Sequence, residues 1–172
     1  LPAHWQTAAL LLAAWWCGAE VVTEPADAAW VACDADRVDL ALALEPPGGV
    51  IALSLDAFGK GISGLPAGVL DFASEVRLQG DEFVPWEEVG DDAPALDGAT
   101  VAEVLAHARS AATAKGLAGA RVLSTMDWTG SGLMVGLLAV LAAGASLVQV
   151  RNADESLLDR RATTERTTLR LP

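Results

Sequence analysis

Between Asp127 and Gly132 the chain reads Asp-Trp-Thr-Gly-Ser-Gly. Thr129 and Ser131 supply hydroxyls, and Gly130 and Gly132 let backbone N–H groups come close to a ligand. The apolar run from Leu133 reads as the helix that they precede. N–H groups converging at a helix amino end are the chemistry of anion binding; the alternative for the same residues is an ordinary capped turn. With Asp127 and Trp128 they form the candidate ligand-binding set Asp127, Trp128, Thr129, Gly130, Ser131 and Gly132. No residue is assigned a catalytic role, because Ser131 has no general base to make a nucleophilic triad. His4 joins the set on position: Leu1-Pro2 reads as the end of a strand, so His4 would also face the carboxyl edge of a sheet, with helix-start packing as its alternative.

Other motifs carry less. Gly59-Lys60-Gly61-Ile62-Ser63-Gly64 matches the dinucleotide spacing G-x-G-x-x-G, with Asp81 further on, but Pro66 and Gly68 spoil the helix that should follow, so a flexible loop is expected. The run Asp81, Glu82, Glu87, Glu88, Asp91 and Asp92 lacks calcium-loop spacing and reads as a solvated linker. His107, four residues after Glu103, fits a surface ion pair. Two histidines and two isolated thiols, Cys17 and Cys33, give no metal-ligand spacing, so no metal is expected. Both thiols are expected to be buried and reduced, which points to the cytoplasm.

The elements that must position the candidate loop are legible in the same stretch. Val122 to Thr125 and Ser146 to Val150 read as buried strands around an apolar helix from Leu133 to Ala143, stopped at Gly144. That is a βαβ unit. Its strands are apolar runs rather than alternations, as in a parallel sheet covered on both faces. Ligands of such sheets sit beyond the carboxyl ends of the strands, where Asp127 to Gly132 would be.

Upstream, Ala3 to Cys17 reads as a helix with His4, Gln6 and Thr7 near its start and Ala8 to Cys17 apolar all round, as in a buried helix, and Glu20 to Thr23 begins a strand. Leu12, Ala13, Gly18, Ala19 and Val22 repeat at the spacing of Leu138, Ala139, Gly144, Ala145 and Val148, a helix, Gly-Ala, strand module used twice. Ala29 to Cys33 and Val50 to Leu55 are strands around a short helix that begins at Asp34. A helical turn and then a strand are expected between Gly68 and Leu78. Thr100 to Glu103 fits a capping box for a helix ending at Lys115-Gly116. Asn152 with Glu155 caps a last helix, and Thr168 to Leu171 adds a strand. Of six tryptophans, the five other than Trp128 lie beside apolar runs and are expected in the core.

Residues 1–172 are therefore expected to form a single α/β domain, a mostly parallel sheet flanked by helices, with an acidic connecting segment at 80–98. The start on Leu1-Pro2 suggests an amino-terminal truncation. Hydrophobic residues make up 52% and mean hydropathy is +0.36, which excludes global disorder. A formal net charge of -12 argues against nucleic acid or an acidic membrane surface as partner. The uncharged stretch from Trp128 to Val150 is long enough to span a bilayer, but its glycines and missing basic flank argue against that.

LPAHWQTAALLLAAWWCGAEVV resembles the segment near the amino end of AMP-forming adenylating enzymes, the acyl-CoA synthetase and luciferase superfamily. There a strand ending in Leu-Pro leads into a helix, Gly-Ala and the next strand. GLAGARVLSTMDWTGSGLMVGLLAVLAAGASLVQV is similar to a later part of that domain, where a Pro-Leu-x-His-x-x-Gly loop precedes a helix and a Gly-Ala strand. More narrowly, the chain resembles a short actinobacterial family of AMP-binding-enzyme homologues of unassigned function. The resemblance implies part of that amino-terminal α/β domain, with ATP, AMP or an acyl-adenylate as the ligands such a domain takes. The departures are specific. Asp91 to Gly98 stands where the phosphate loop belongs, and Ser63 to Val69 imitates the tail of that loop with Ala67 in place of its lysine. Met126 to Gly130 replaces the Pro-Leu-x-His loop, and the adenine and ribose motifs and the catalytic lysine would fall after the last residue. No adenylation residue carries over. The expectation is a degenerate, non-adenylating homologue that binds a small ligand or a protein partner. The alternatives are an enzyme with a non-standard site at 127–132 and one half of a split adenylating enzyme.

Overall fold

The computed structural model describes residues 1–85 and 87–172. It is an α/β protein with parallel sheets flanked by helices. Two compact units divide it: Leu1 with Trp5–Gly98, and Pro2–His4 with Ala99–Pro172.

The first unit opens with α1 (Trp5–Trp16). Strands β1 (Trp30–Asp34), β2 (Gly49–Leu53) and β3 (Val69–Asp71) then pair in parallel in the order β1-β2-β3. A 3-10 turn, Ala35–Arg37, and α2 (Val38–Leu42) connect β1 to β2. Val31, Cys33, Val50 and Ala52 project from one face of the sheet onto Val38 and Ala41 of α2. The period-2 alternation of these strand residues is what a helix-covered sheet face requires. After β3 come α3 (Phe72–Glu75), a 3-10 turn and, beyond the acidic segment, β4 (Pro94–Leu96).

The second unit runs β5 (Ala99–Thr100), α4 (Val101–Ala114), β6 (Arg121–Ser124), a helical stretch, β7 (Ser146–Gln149), α7 (Glu155–Thr164) and β8 (Leu169–Leu171). The helical stretch is α5 (Ser131–Leu133), a π turn (Met134–Leu138) and α6 (Ala139–Ala142). Its sheet is parallel in the order β7-β6-β8. Val122 of β6 packs with Ala112, Leu117, Ala139 and Val140 on one side, and its neighbour Leu123 packs with Leu158 of α7 on the other. Helices on both faces explain why β6 is an apolar run.

Several expectations are corrected. The α1 helix is not buried all round: Gln6 and Thr7 are its buried residues, while Leu12 and Trp16 are exposed. Glu20 to Thr23 forms no strand, only a single parallel bridge from Val21 to Leu96. Between Gly68 and Leu78 the order is strand then helix, because Asp71 ends β3 and caps α3 by accepting from Ala73 N. Asp154, not Asn152, caps α7, accepting from Ser156 N at 2.9 Å. Cys33 is buried as expected, but Cys17 is exposed. Trp5, Trp16 and Trp30 are exposed and Trp128 is buried, the reverse of the expected sorting; Trp86 lies outside the described residues.

The repeated Gly-Ala module is real at its cap. Gly18 and Gly144 both have positive φ (73° and 62°). Gly18 N donates to Trp15 O and Ala19 N to Ala14 O, as Gly144 N does to Leu141 O and Ala145 N to Val140 O. Glycine takes the left-handed position without a Cβ penalty, so two helices end identically. No helix among the described residues is long and apolar enough to cross a membrane.

Candidate functional site

Strand β6 delivers the chain to the loop at its carboxyl end. Ser124, fully buried, accepts from Met126 N at 3.1 Å, and its carbonyl accepts from Val150 N at 2.8 Å. Thr125 N donates to Leu171 O, so the loop leaves the sheet only after Thr125. Gln149, at the end of β7, donates through Nε2 to Met126 O at 2.9 Å and ties the two strand ends together. The loop then doubles back. A Cβ on Gly132 would collide with the Asp127 carbonyl oxygen, so only glycine permits this closure. Gly130 adopts φ 51° and ψ -125°, a region closed to side chains.

This closure sorts the candidates. Asp127, Thr129, Gly130 and Ser131 are exposed, whereas Trp128 and Gly132 are buried. Gly132 N donates to Thr129 O at 2.9 Å, which removes one of the N–H groups considered for an anion. His4 is partly buried in the segment Pro2–His4 of this same unit. Trp128, 7% exposed, lays its indole against Gly136 in the π turn: a Cβ there would lie 3.3 Å from both Cδ1 and Nε1, and 3.4 Å from Met126 Cβ. Two buried polar atoms at this edge have no hydrogen-bond partner, Trp128 Nε1 and Gln149 Oε1. One is a donor and the other an acceptor. Single π turns inside helices recur at functional sites. Sequence reasoning missed Gln149 and Met126; the signal available was a lone amide at the end of an otherwise apolar strand.

The other motifs resolve into structural roles. In the dinucleotide-like loop, Gly61 lies against the Asp71 carboxylate, which accepts from Ile62 N and Ser74 Oγ, while Asp56 accepts from Phe58 N and Lys60 N. The close approach that a pyrophosphate would need is taken by a carboxylate. Arg77 donates to Gly59 O, and Gln6 bridges Ser54 Oγ and Leu55 N at 3.0 Å each, so the segment after β2 is pinned. Before α4, Asp97 accepts from Thr23 N at 2.7 Å and Gly98 N donates to Glu20 at 2.6 Å. Among the described residues no group of His, Cys, Asp and Glu side chains could hold a metal ion.

Burial, and then the neighbouring Asp34, push the Cys33 thiol above its ordinary range. Glu103 lies below the usual carboxylate range because Thr100 donates to it through its backbone N–H and its hydroxyl. Asp154 is lowered likewise by the Ser156 hydroxyl and N–H.

Fold and site together define a parallel α/β protein with a buried indole N–H and a buried amide oxygen left without partners near the carboxyl end of a sheet. No family model matches the chain. It is 48% identical over 174 residues to a TIGR03089 family protein of Mycobacterium tuberculosis (strain ATCC 25618 / H37Rv), a match spanning 98% of this chain and 70% of that relative. The chain belongs to the TIGR03089 family.

Proposed function

We propose that this protein is a non-adenylating relative of the amino-terminal domain of AMP-forming acyl-CoA synthetases, which binds a small ligand at the carboxyl edge of the β7-β6-β8 sheet. One observation carries the reading: the buried, unpartnered Trp128 Nε1, which lies against the π turn, and Gln149 Oε1 at the end of β7. An unmet buried donor or acceptor costs about 1–3 kcal/mol, and a ligand offering an acceptor to the indole and a donor to the amide recovers that energy. The glycines and the Gln149–Met126 bond hold the loop in shape. The Asp97 and Glu20 carboxylates before α4 support the loss of triphosphate chemistry. Cys17, exposed and unpaired, suits a reducing cytoplasm.

The test is calorimetric titration with a non-hydrolysable acyl-adenylate and, separately, with Mg-ATP, on the wild type and on Trp128→Phe. Saturable one-to-one binding of the acyl-adenylate, weakened about tenfold by removal of the indole N–H, is expected, with no binding of Mg-ATP. The absence of heat with both ligands from a folded sample sinks the nucleotide inheritance. Turnover that disappears in Asp127→Ala would instead make the protein an enzyme.

A further inference from the structure

A groove of about 330 Å³ in the first unit is walled by Trp15, Trp16, Pro85, Val89 and the carboxylates of Glu87 and Glu88. Its two indoles are held in place. The Trp15 indole donates to Ala95 O at 2.8 Å, and Trp16 meets Phe83 edge-on, with ring centroids 5.7 Å apart and planes at 81°. Around it Phe83, Val84 and Val89 are exposed, as are Asp81, Glu82, Glu87, Glu88, Asp91 and Asp92. Among the described residues none of these six carboxylates is ion-paired, and the sequence has no Lys or Arg between Arg77 and Arg109. Indole faces attract cations through their quadrupole, and carboxylates attract them directly. The groove therefore lacks its countercharge.

We infer that this groove docks a basic peptide segment of a partner protein, in which Lys or Arg side chains alternate with apolar ones. One cationic side chain lies across the Trp15 and Trp16 indoles, with its head at Glu87 and Glu88. Neighbouring cations meet the remaining carboxylates, and the apolar residues cover Phe83, Val84 and Val89. The observation that selects a peptide over a lone small cation is the spread of six carboxylates and three exposed apolar side chains along residues 81–85 and 87–92. A single ammonium ion engages only the groove. Aromatic anchors ringed by polar groups are also the anatomy of protein interfaces.

Fluorescence anisotropy with a labelled (Arg-Leu)₄ peptide tests this, against (Arg-Ser)₄ and (Gln-Leu)₄ and with tetramethylammonium as competitor. The Arg-Leu peptide is expected to bind one-to-one, to weaken as salt rises, and to outbind both controls. Trp16→Ala is expected to weaken it by roughly threefold to thirtyfold, the span of an aromatic–cation contact. Trp16 is 58% exposed, so its removal spares the fold, which circular dichroism checks. The paired variant Glu87→Gln/Glu88→Gln is expected to weaken binding comparably. Equal binding of (Arg-Ser)₄, or no effect of Trp16→Ala, would reduce the interaction to bulk charge attraction and overturn the docking site. Displacement of the peptide by saturating tetramethylammonium would assign the groove to a small organic cation instead.

Discussion

At the scale of single residues, shape at the candidate loop is decided by glycine and depth by tryptophan. In Gly132→Ala the new methyl meets a backbone oxygen that no rotamer change can move, so a loss of about 1–3 kcal/mol or more is expected in urea unfolding. Gly144→Ala, at positive φ but with open space around it, is expected to lose only about 1 kcal/mol. A larger loss at Gly144 would refute the collision. Thiol chemistry separates the cysteines: one equivalent of a maleimide is expected to react in the native protein, at Cys17, and a second only on unfolding. The Cys33 thiol is buried and its pKa raised, so it holds less thiolate at neutral pH. The sequence picked out residues 127–132 from hydroxyls and glycines, yet inverted the tryptophans. A polar neighbourhood reads as exposure, but Trp128 fits beneath Gly136 because that glycine has no side chain. Nothing local signals such a fit, since Gly136 is eight residues away inside an apolar run.

At the scale of elements, the helix beginnings are set by side chains that the sequence shows openly. The Thr100–Glu103 capping box is reciprocal: Thr100 N donates to Glu103 Oε2 at 2.9 Å, and Glu103 N to Thr100 Oγ1 at 3.3 Å. Glu103 and Asp154 both have folded pKa values below their ordinary ones. Their stabilising contribution is therefore fully present above the unfolded carboxylate range and is lost as pH falls through the lowered folded values. Glu103→Ala is thus expected to be less stable than wild type at pH 7, with the gap narrowing steadily toward pH 3. A gap independent of pH would mean that the carboxylate's charge is not what caps α4. Strands were legible where consecutive apolar residues are buried on both faces, as Val122 and Leu123 are in β6, and illegible where pairing is minimal. Val21 makes one bridge, and β3 keeps only Val69, Leu70 and Asp71 before Asp71 caps the helix that follows. The burial of α1 was misjudged for a different reason. An all-apolar sequence is equally compatible with every packing direction, and here Gln6 and Thr7, not the leucines, turn inward.

At the scale of the whole molecule, charge divides as the compact units do. Trp5–Gly98 holds 17 acidic and three basic side chains, a net of -14, while Ala99–Pro172 holds six acidic and eight basic ones, a net of +2. The chain's overall -12 is therefore a property of one unit, and self-repulsion is concentrated there. The second unit spends its charges in pairs, such as Arg121 with Glu165 at 2.8 Å. Salt should act on the two in opposite senses, because screening with a Debye length of about 10 Å at 0.1 M and 3 Å at 1 M relieves repulsion in one and weakens pairing in the other. Raising sodium chloride at pH 7 is expected to slow opening-limited hydrogen exchange in peptides covering Gly49–Leu53 and to leave unchanged or quicken it in those covering Arg121–Ser124. Equal slowing in both would mean that salt acts by general exclusion from the surface. The acidic partition would then lose its energetic meaning for folding and keep only its role in choosing partners.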